Sequence, residues 1–513
     1  MSPDPFSATP TAALLKKASN TMRHFPTLPS PAWLLAWSLI FVVCSTIAAE
    51  EPEDNWLPLF DGESLEGWKA SENGDTWRVE DGLLVTDGDR SHLFYEGPAG
   101  DHDFRNFEVV AEIRTETNCN SGVYFHTEYQ EKGWPDKGYE VQINNSALGA
   151  GDYRELKRTG SLYGVRNLYS TLVADGEWFE MRVRVVGNRV CVWVNDHQTV
   201  DYVQPQSPAR KGNMAGRLLS RGTIALQGHD SGSRVAFRRI AVRFLSDDAD
   251  PGVPPRASDV GYGVRENVMD RIAAANVPVI DFHIHLRGGL TVEKAIARQA
   301  VTGVNSGVLR NLGVGWPLET DQQLGEFLDS VAGRPVFVGL QVNDRDWMTK
   351  HSKELLDRLD FVLADTMIMP MPNDDSKFVK LWLTDGYTID DPEAWMKRYM
   401  RHNLRVLAEP VTILANPTYL PPPVADLYDQ LWTDERLRTL IQAAIDNHVA
   451  LEINARSGLP HDRFIRMAKE MGATFTFGTN NFDDKPIDMT RCFESIKTYG
   501  LQKKDMYVPA VRP

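Results

Sequence analysis

The chain has 513 residues, more than one hydrophobic core accommodates, so two or three domains are expected. Its 55 Lys and Arg against 70 Asp and Glu leave a net charge of −15, which excludes the basic face that nucleic acid or an anionic membrane demands. The remaining composition is that of an ordinary folded protein and selects no partner.

Residues 1–49 read as a targeting segment rather than as structure. The apolar run WLLAWSLIFVVCSTIAA, from Trp33 to Ala49, follows Lys16, Lys17 and Arg23, the order of an export signal. Thr46, Ile47 and Ala48 supply a small-x-small cleavage pattern, and Met22 opens a more compact version of the same signal. Export to the periplasm, the medium or the cell surface is the expectation. Membrane attachment follows only if the segment stays uncleaved, since a spanning helix usually needs about 18 apolar residues or more. Cys44 lies in this run. Cys119, Cys191 and Cys492 show no metal-type spacing and read as buried thiols, with a Cys119–Cys191 bridge the alternative in an oxidising compartment.

Residues 55–245 read as short antiparallel strands. In WFEMRVRVVGNRVCVWVNDHQTVDY, Phe179, Met181, Val183 and Val185 alternate with Glu180, Arg182 and Arg184, with turns at Gly187-Asn188 and Asn195-Asp196. VAFRRIAVRFL repeats the alternation, placing Ile240, Val242 and Phe244 on one face. Many such strands without a helical pattern predict a β-sandwich or jelly roll. Residues 246–276, rich in Pro, Gly and Asp, read as a linker.

From residue 277 to 513 the period changes, and apolar strands alternate with amphipathic helices. There are about seven βα units, the pattern of a closed or nearly closed parallel barrel. Chemistry in such a barrel sits at the carboxyl ends of the strands. Those ends carry His283, His285, Asn311, Gln341, Asn343, Asp365, Asn416, Glu452, Asn454, Thr479 and Asn480. So many buried polar groups need a ligand, an ion or water. His283 and His285 are two apart on a strand, so they face the same way, as two ligands of one metal would.

DFHIHL, LEIN and FTFGTNN together resemble the PHP family of metal-dependent phosphoesterases and the wider amidohydrolase-like barrels. The resemblance implies a single divalent ion, zinc, manganese or similar, on His283, His285 and Glu452, with Asp365 as a further ligand. Asn480-Asn481-Phe482 stands where the family has an Asp-x-His element, and Asn416 where a histidine is common. Neutral amides are poor replacements for such ligands, so a multinuclear site is not expected, and a metal-free polar pocket is the competing reading.

In the sandwich region, GYEVQI places Glu140 and Gln142 on one strand face, and LQGHD does the same for Gln227 and His229. A carboxylate, an imidazole and two amides on one sheet face would make a sugar-binding concavity with an acid and a base. Asn120, Ser121 and His126 are candidates for the same groove. Trp68, Trp77, Tyr124 and Tyr163 are stacking candidates, although aromatics in a sandwich are more often core.

The segments LPLFDGESLEGW, WRVEDGLL, NFEVVAEIRTETNCNSGVYFH, GYEVQINN, TGSLYG and GTIALQGHDSGSRVAFRRIAV resemble the 3-keto-disaccharide hydrolase family, a concanavalin-like jelly roll. The resemblance implies cleavage of glycosides oxidised at C3, in oxidised di- or oligosaccharides. It lifts Glu140 and His229 for the base and acid roles, in either order, with Gln142 and Asn120 orienting the substrate. A divalent ion stabilising an enolate fits this route, and the sequence identifies no ligands for it. His126 stands where relatives often have arginine, and Asn144 where they have aspartate. Two alternatives stay open: a carbohydrate-binding module that brings a barrel hydrolase to polysaccharide, and a non-catalytic sugar-binding surface protein.

Overall fold

The structure is a computed structural model, and residues 55–149, 153–210, 212–253, 268–371, 374–383, 387–485 and 488–510 are described. The expected targeting segment and most of the expected linker lie outside these residues. Among the described residues no helix is long and apolar enough to cross a membrane.

The first half is a sandwich of two antiparallel sheets. Eight strands form one sheet, running His197–Val203, Arg189–Val194, Phe179–Val186, Phe107–Thr115, Val235–Phe244, Leu83–Thr86 and Trp77–Glu80, with Leu57–Pro58 added beside Val235–Phe244. Five form the other: Trp68–Ala70, Ser91–Tyr95, Thr223–Gly228, Ser121–Thr127 and Tyr139–Ile143. Phe179, Met181, Val183 and Val185 are buried while Glu180, Arg182 and Arg184 are half-buried, so alternation decides which face meets the second sheet. Ile240 and Val242 join the core, whereas Phe244, at the strand end, is 42% exposed and stacks on Phe104.

Two expected stacking platforms are core residues instead. Trp68 and Trp77 lie in the sandwich core, their indole N–H groups donating to Leu59 O (2.7 Å) and Ser91 Oγ (3.0 Å). Cys119, Cys191 and Cys492 are free and buried, so the Cys119–Cys191 bridge is not formed.

Residues read as linker contain a helix, Val268–Ala274. Its Asp270 is buried and accepts from Arg166 Nη1 (2.8 Å), Tyr202 Oη (3.0 Å) and Arg210 Nη1 (3.1 Å) of the sandwich. The preceding Asp- and Pro-rich composition hides this helix, which is fixed by partners far away in sequence.

Seven parallel strands then close a barrel: Ile280–His285, Asn305–Leu312, Phe337–Val342, Phe361–Ala364, Ile413–Leu414, Ala450–Asn454 and Phe475–Gly478. Helices Val292–Thr302, Asp321–Val331, Pro392–Leu407, Asp434–Asp446 and Asp462–Met471 lie between strands in the chain. Phe282, Leu309, Phe361, Leu363 and Ile413 form an apolar plug. Gly339 makes room for it, since a Cβ there would lie 2.5 Å from the Phe361 ring. Tyr169 of the sandwich joins this plug, so the two halves share a core. Trp56–Pro513 is accordingly one compact unit.

Candidate functional site

Strand register builds a polar floor on the sandwich. Gly122 pairs with Gln142 and Tyr124 with Glu140, while Gln227 pairs with His92 and Ala225 with both Phe94 and Tyr124. Leu93, Val123, Val141 and Leu226 point into the core, so His92, Tyr124, Glu140, Gln142 and Gln227 share the opposite face. Gly122 leaves room for the carboxylate, because a Cβ there would stand 2.9 Å from Glu140 Oε1.

Glu140 is 4% exposed, and three donors fix it. Gln227 Nε2 donates to Oε1 at 3.0 Å, and Tyr124 Oη and Arg217 Nη2 donate to Oε2 at 2.8 and 3.2 Å. Arg217 thereby forms a buried ion pair with this carboxylate. Burial, reinforced by the Glu140 charge, pushes the Tyr124 phenol far above its ordinary range, so it stays a donor. Gln142 Nε2 donates to Asn120 Oδ1 at 2.6 Å.

Beside this network lies His92, which alternation in SHLFY could have exposed as a candidate, since it faces away from Leu93. Burial, helped by the Arg90 charge, lowers its pKa to about 3, so the ring is neutral. Neither ring nitrogen has a hydrogen-bond partner, nor do Gln142 Oε1 and Gln227 Oε1. Trp134 covers it, 38% exposed, with ring centroids 5.5 Å from His92 and 5.1 Å from His229. His229 Nδ1 is 2.6 Å from Asp230 Oδ2, and that side chain keeps 26% exposure. Arg217 and Trp134 come from loops and carry no sequence signal.

The other expected groove residues divide. Ser121 Oγ donates to Gln227 O at 2.6 Å, bracing the floor from behind. Tyr163 lies at the sheet edge, its N–H donating to Glu140 O (2.9 Å) and its hydroxyl to Glu155 Oε2 (3.1 Å). His126 does not join the groove: a bulge opposite Thr223 and Ala225 gives it φ of 55° and turns its ring against Phe107 and Phe125. Its Nε2 lies 2.9 Å from Arg105 O, and its Nδ1 accepts from Ser220 N at 3.2 Å. Asn144 is buried, and its Oδ1 accepts from Arg158 Nη1 at 3.0 Å.

At the barrel mouth, His283, His285 and Glu452 are buried and Asp365 is half-buried. His283 Nδ1 bonds Glu452 Oε1 at 2.7 Å, while Glu452 Oε2 accepts from Asn416 N (2.8 Å) and Asn454 Nδ2 (3.1 Å). Asp365 accepts from Gln341 Nε2 (2.7 Å) and Met367 N (3.0 Å), and Asn311 Nδ2 donates to Gln341 Oε1 at 3.1 Å. Burial opposes the charged His283, but Glu452 outweighs it and raises the pKa; burial and the His283 charge drive His285 well down. His283 Nε2 and His285 Nδ1 have no partner. Among the described residues no group of three or more His, Cys, Asp or Glu is placed to hold a metal. The mouth therefore presents two free imidazole nitrogens beside carboxylates that are each held by hydrogen bonds.

Comparison with known proteins places the sandwich. Residues 55–243 match the 3-keto-alpha-glucoside-1,2-lyase-like domain. A 3-keto-disaccharide hydrolase of Bacteroides thetaiotaomicron is 24% identical over 233 residues, covering 37% of this chain and 79% of the relative. A crystal structure of a candidate glycosyl hydrolase from Parabacteroides distasonis is similar at 22% identity, over 37% of this chain and 94% of that one, with a TM-score of 0.33. A carbohydrate-binding module of Bacillus subtilis follows at 13% identity, over 34% and 95%, with a TM-score of 0.25.

Proposed function

We propose that the lyase-like domain cleaves glycosides already oxidised at C3 of the sugar. A C3 ketone acidifies the C2 hydrogen, so a base removes that proton and the electrons pass into an enolate. The enolate then expels the C1 substituent, which takes from the protonated base the proton removed at C2, and water adds across the C1–C2 double bond. This sequence needs a base, a stabiliser for the enolate oxygen and an acid.

His229 is the base, with Asp230 on its Nδ1 fixing the ring so that Nε2 meets the substrate. The neutral ring of His92 donates to the enolate oxygen from a dry site, and Trp134 stacks against the sugar between the two imidazoles. Glu140 was expected to share the acid and base work. Its two oxygens are already bonded, so its role here is to hold Tyr124, Gln227 and Arg217 in register. The observation that carries this reading is His92: a buried imidazole with both nitrogens unpartnered, under an aromatic lid and beside a His–Asp pair.

The test is turnover of a 3-keto-disaccharide by wild type, His229→Gln and His92→Asn. Each variant should lose about 10²-fold or more in kcat. Binding without turnover in wild type would replace the reading by a carbohydrate-binding module. Turnover unchanged in both variants would sink the assignment.

A further inference from the structure

The barrel mouth holds a charge arrangement that the sandwich chemistry does not use. Arg287, just past the strand Ile280–His285, and Arg456, just past Ala450–Asn454, lie over one ring: their guanidinium carbons are 4.9 and 4.2 Å from the Phe482 centroid. No ion pair joins either arginine to a carboxylate among the described residues, and Arg287 Nε is buried without a partner. Asp483 acts on Arg456 only from beyond ion-pair distance.

Two like charges beside a buried wall are unfavourable unless something anionic joins them. A second observation points the same way. Asn481, next to Phe482, is 1% exposed and its Nδ2 lacks an acceptor, although its backbone is tied to the first strand by His285 N→Asn481 O (2.7 Å) and Asn481 N→His283 O (2.9 Å). His285 Nδ1 is likewise unpartnered. Asn481 Nδ2 is thus an unused buried donor beside the residue whose ring the arginines flank, and Asn311, Gln341 and Asn343 stand at the carboxyl ends of their strands, at the same end of the barrel.

We propose that the barrel mouth binds a small polyhydroxylated anion, a sugar carboxylate or sugar phosphate. Arg287 and Arg456 clamp the anionic group over Phe482, and the amide ring takes the hydroxyls. The site is separate from the floor under Trp134 and does not rest on the sandwich chemistry.

Calorimetric titration of the full chain with D-gluconate, glucose 6-phosphate and glucose tests it. At least one anionic probe should bind ten-fold or more tighter than glucose, more weakly as salt rises. Gluconate preferred would identify a carboxylate and glucose 6-phosphate a phosphoryl group. Arg456→Gln changes an exposed side chain and so keeps the fold; it should weaken that binding at least ten-fold, Arg287→Gln likewise, and Trp134→Ala not at all. Equal binding of all three probes, no binding of either anion, or unchanged affinity in Arg456→Gln would overturn the proposal.

Discussion

Replacing Glu140 by glutamine removes one charge from a pair in which Arg217 is 5% exposed. The stranded guanidinium makes this substitution destabilising by about 3–5 kcal/mol. Glu140→Gln combined with Arg217→Met removes both charges and should recover most of the lost denaturation midpoint while turnover stays absent. Recovery of turnover in the double variant would deny the pair its positioning role. Acid acts on neighbouring groups in a predictable direction. Burial lowers the pKa of His92 to about 3 and of His126 and His402 to about 4. Each is therefore neutral when folded and takes up a proton when unfolded, as pH falls below the ordinary value near 6.5. Their contribution is complete above about pH 6.5 and is lost as pH drops toward 4, on the order of 1 kcal/mol per unit and imidazole. His283, raised by Glu452, opposes them, while His285 and His197, both lowered by burial, act with them. Chemical denaturation at pH 7 and pH 5 should show the lower stability at pH 5, and His126→Asn or His402→Asn should flatten that slope.

At the scale of elements, the floor depends on one missing side chain. A Cβ at Gly122 would sit 2.9 Å from Glu140 Oε1 and 3.0 Å from its Cγ, and three donors prevent the carboxylate from retreating. Gly122→Ala should cost about 1–3 kcal/mol as an overpacked contact and reduce kcat more than ten-fold. Kinetics beside a melting curve separates the two effects; full activity with a lowered midpoint would mean that the carboxylate position is irrelevant to turnover. The same strands show what sequence can carry. Phe179–Val186 was readable because one face is apolar and the other charged, and the barrel strands because strands buried on both faces carry apolar runs between turn signals. His126 was misread because alternation assumes an unbroken ladder, and the bulge there breaks it. Trp134 and Arg217 reach the site from loops, where no period exists to place them. The barrel histidines were placed together correctly by their spacing, but the hydrogen bonds that occupy Glu452 and Asp365 come from Asn416, Asn454, Gln341 and a backbone N–H, which no local pattern announces.

Sandwich and barrel behave as one molecule because their contact is buried on both its apolar and polar sides. Tyr169 packs with Phe282, Leu309, Phe361 and Leu363, and its N–H donates to Asn305 Oδ1 at 2.9 Å, while Asn305 Nδ2 donates to Asn167 O at 2.7 Å. Asp270, 2% exposed, gathers Arg166, Arg210 and Tyr202 a short distance along the chain. A sandwich excised at residue 253 would expose Tyr169 and leave Arg166 and Arg210 without their carboxylate, so it should express as an aggregating fragment. The full chain should melt in a single calorimetric transition, because neither half can open without uncovering the other's core. Asp270→Asn attacks the polar half of this contact alone. It keeps the size of the side chain but leaves two guanidinium groups with no counter-charge, at about 3–5 kcal/mol for a broken buried pair. That energy is lost from the coupling rather than from either core, so the single transition should split in two, with the first at lower temperature. A single transition at the wild-type midpoint in Asp270→Asn would mean that the apolar contact around Tyr169 couples the halves without help from the charges.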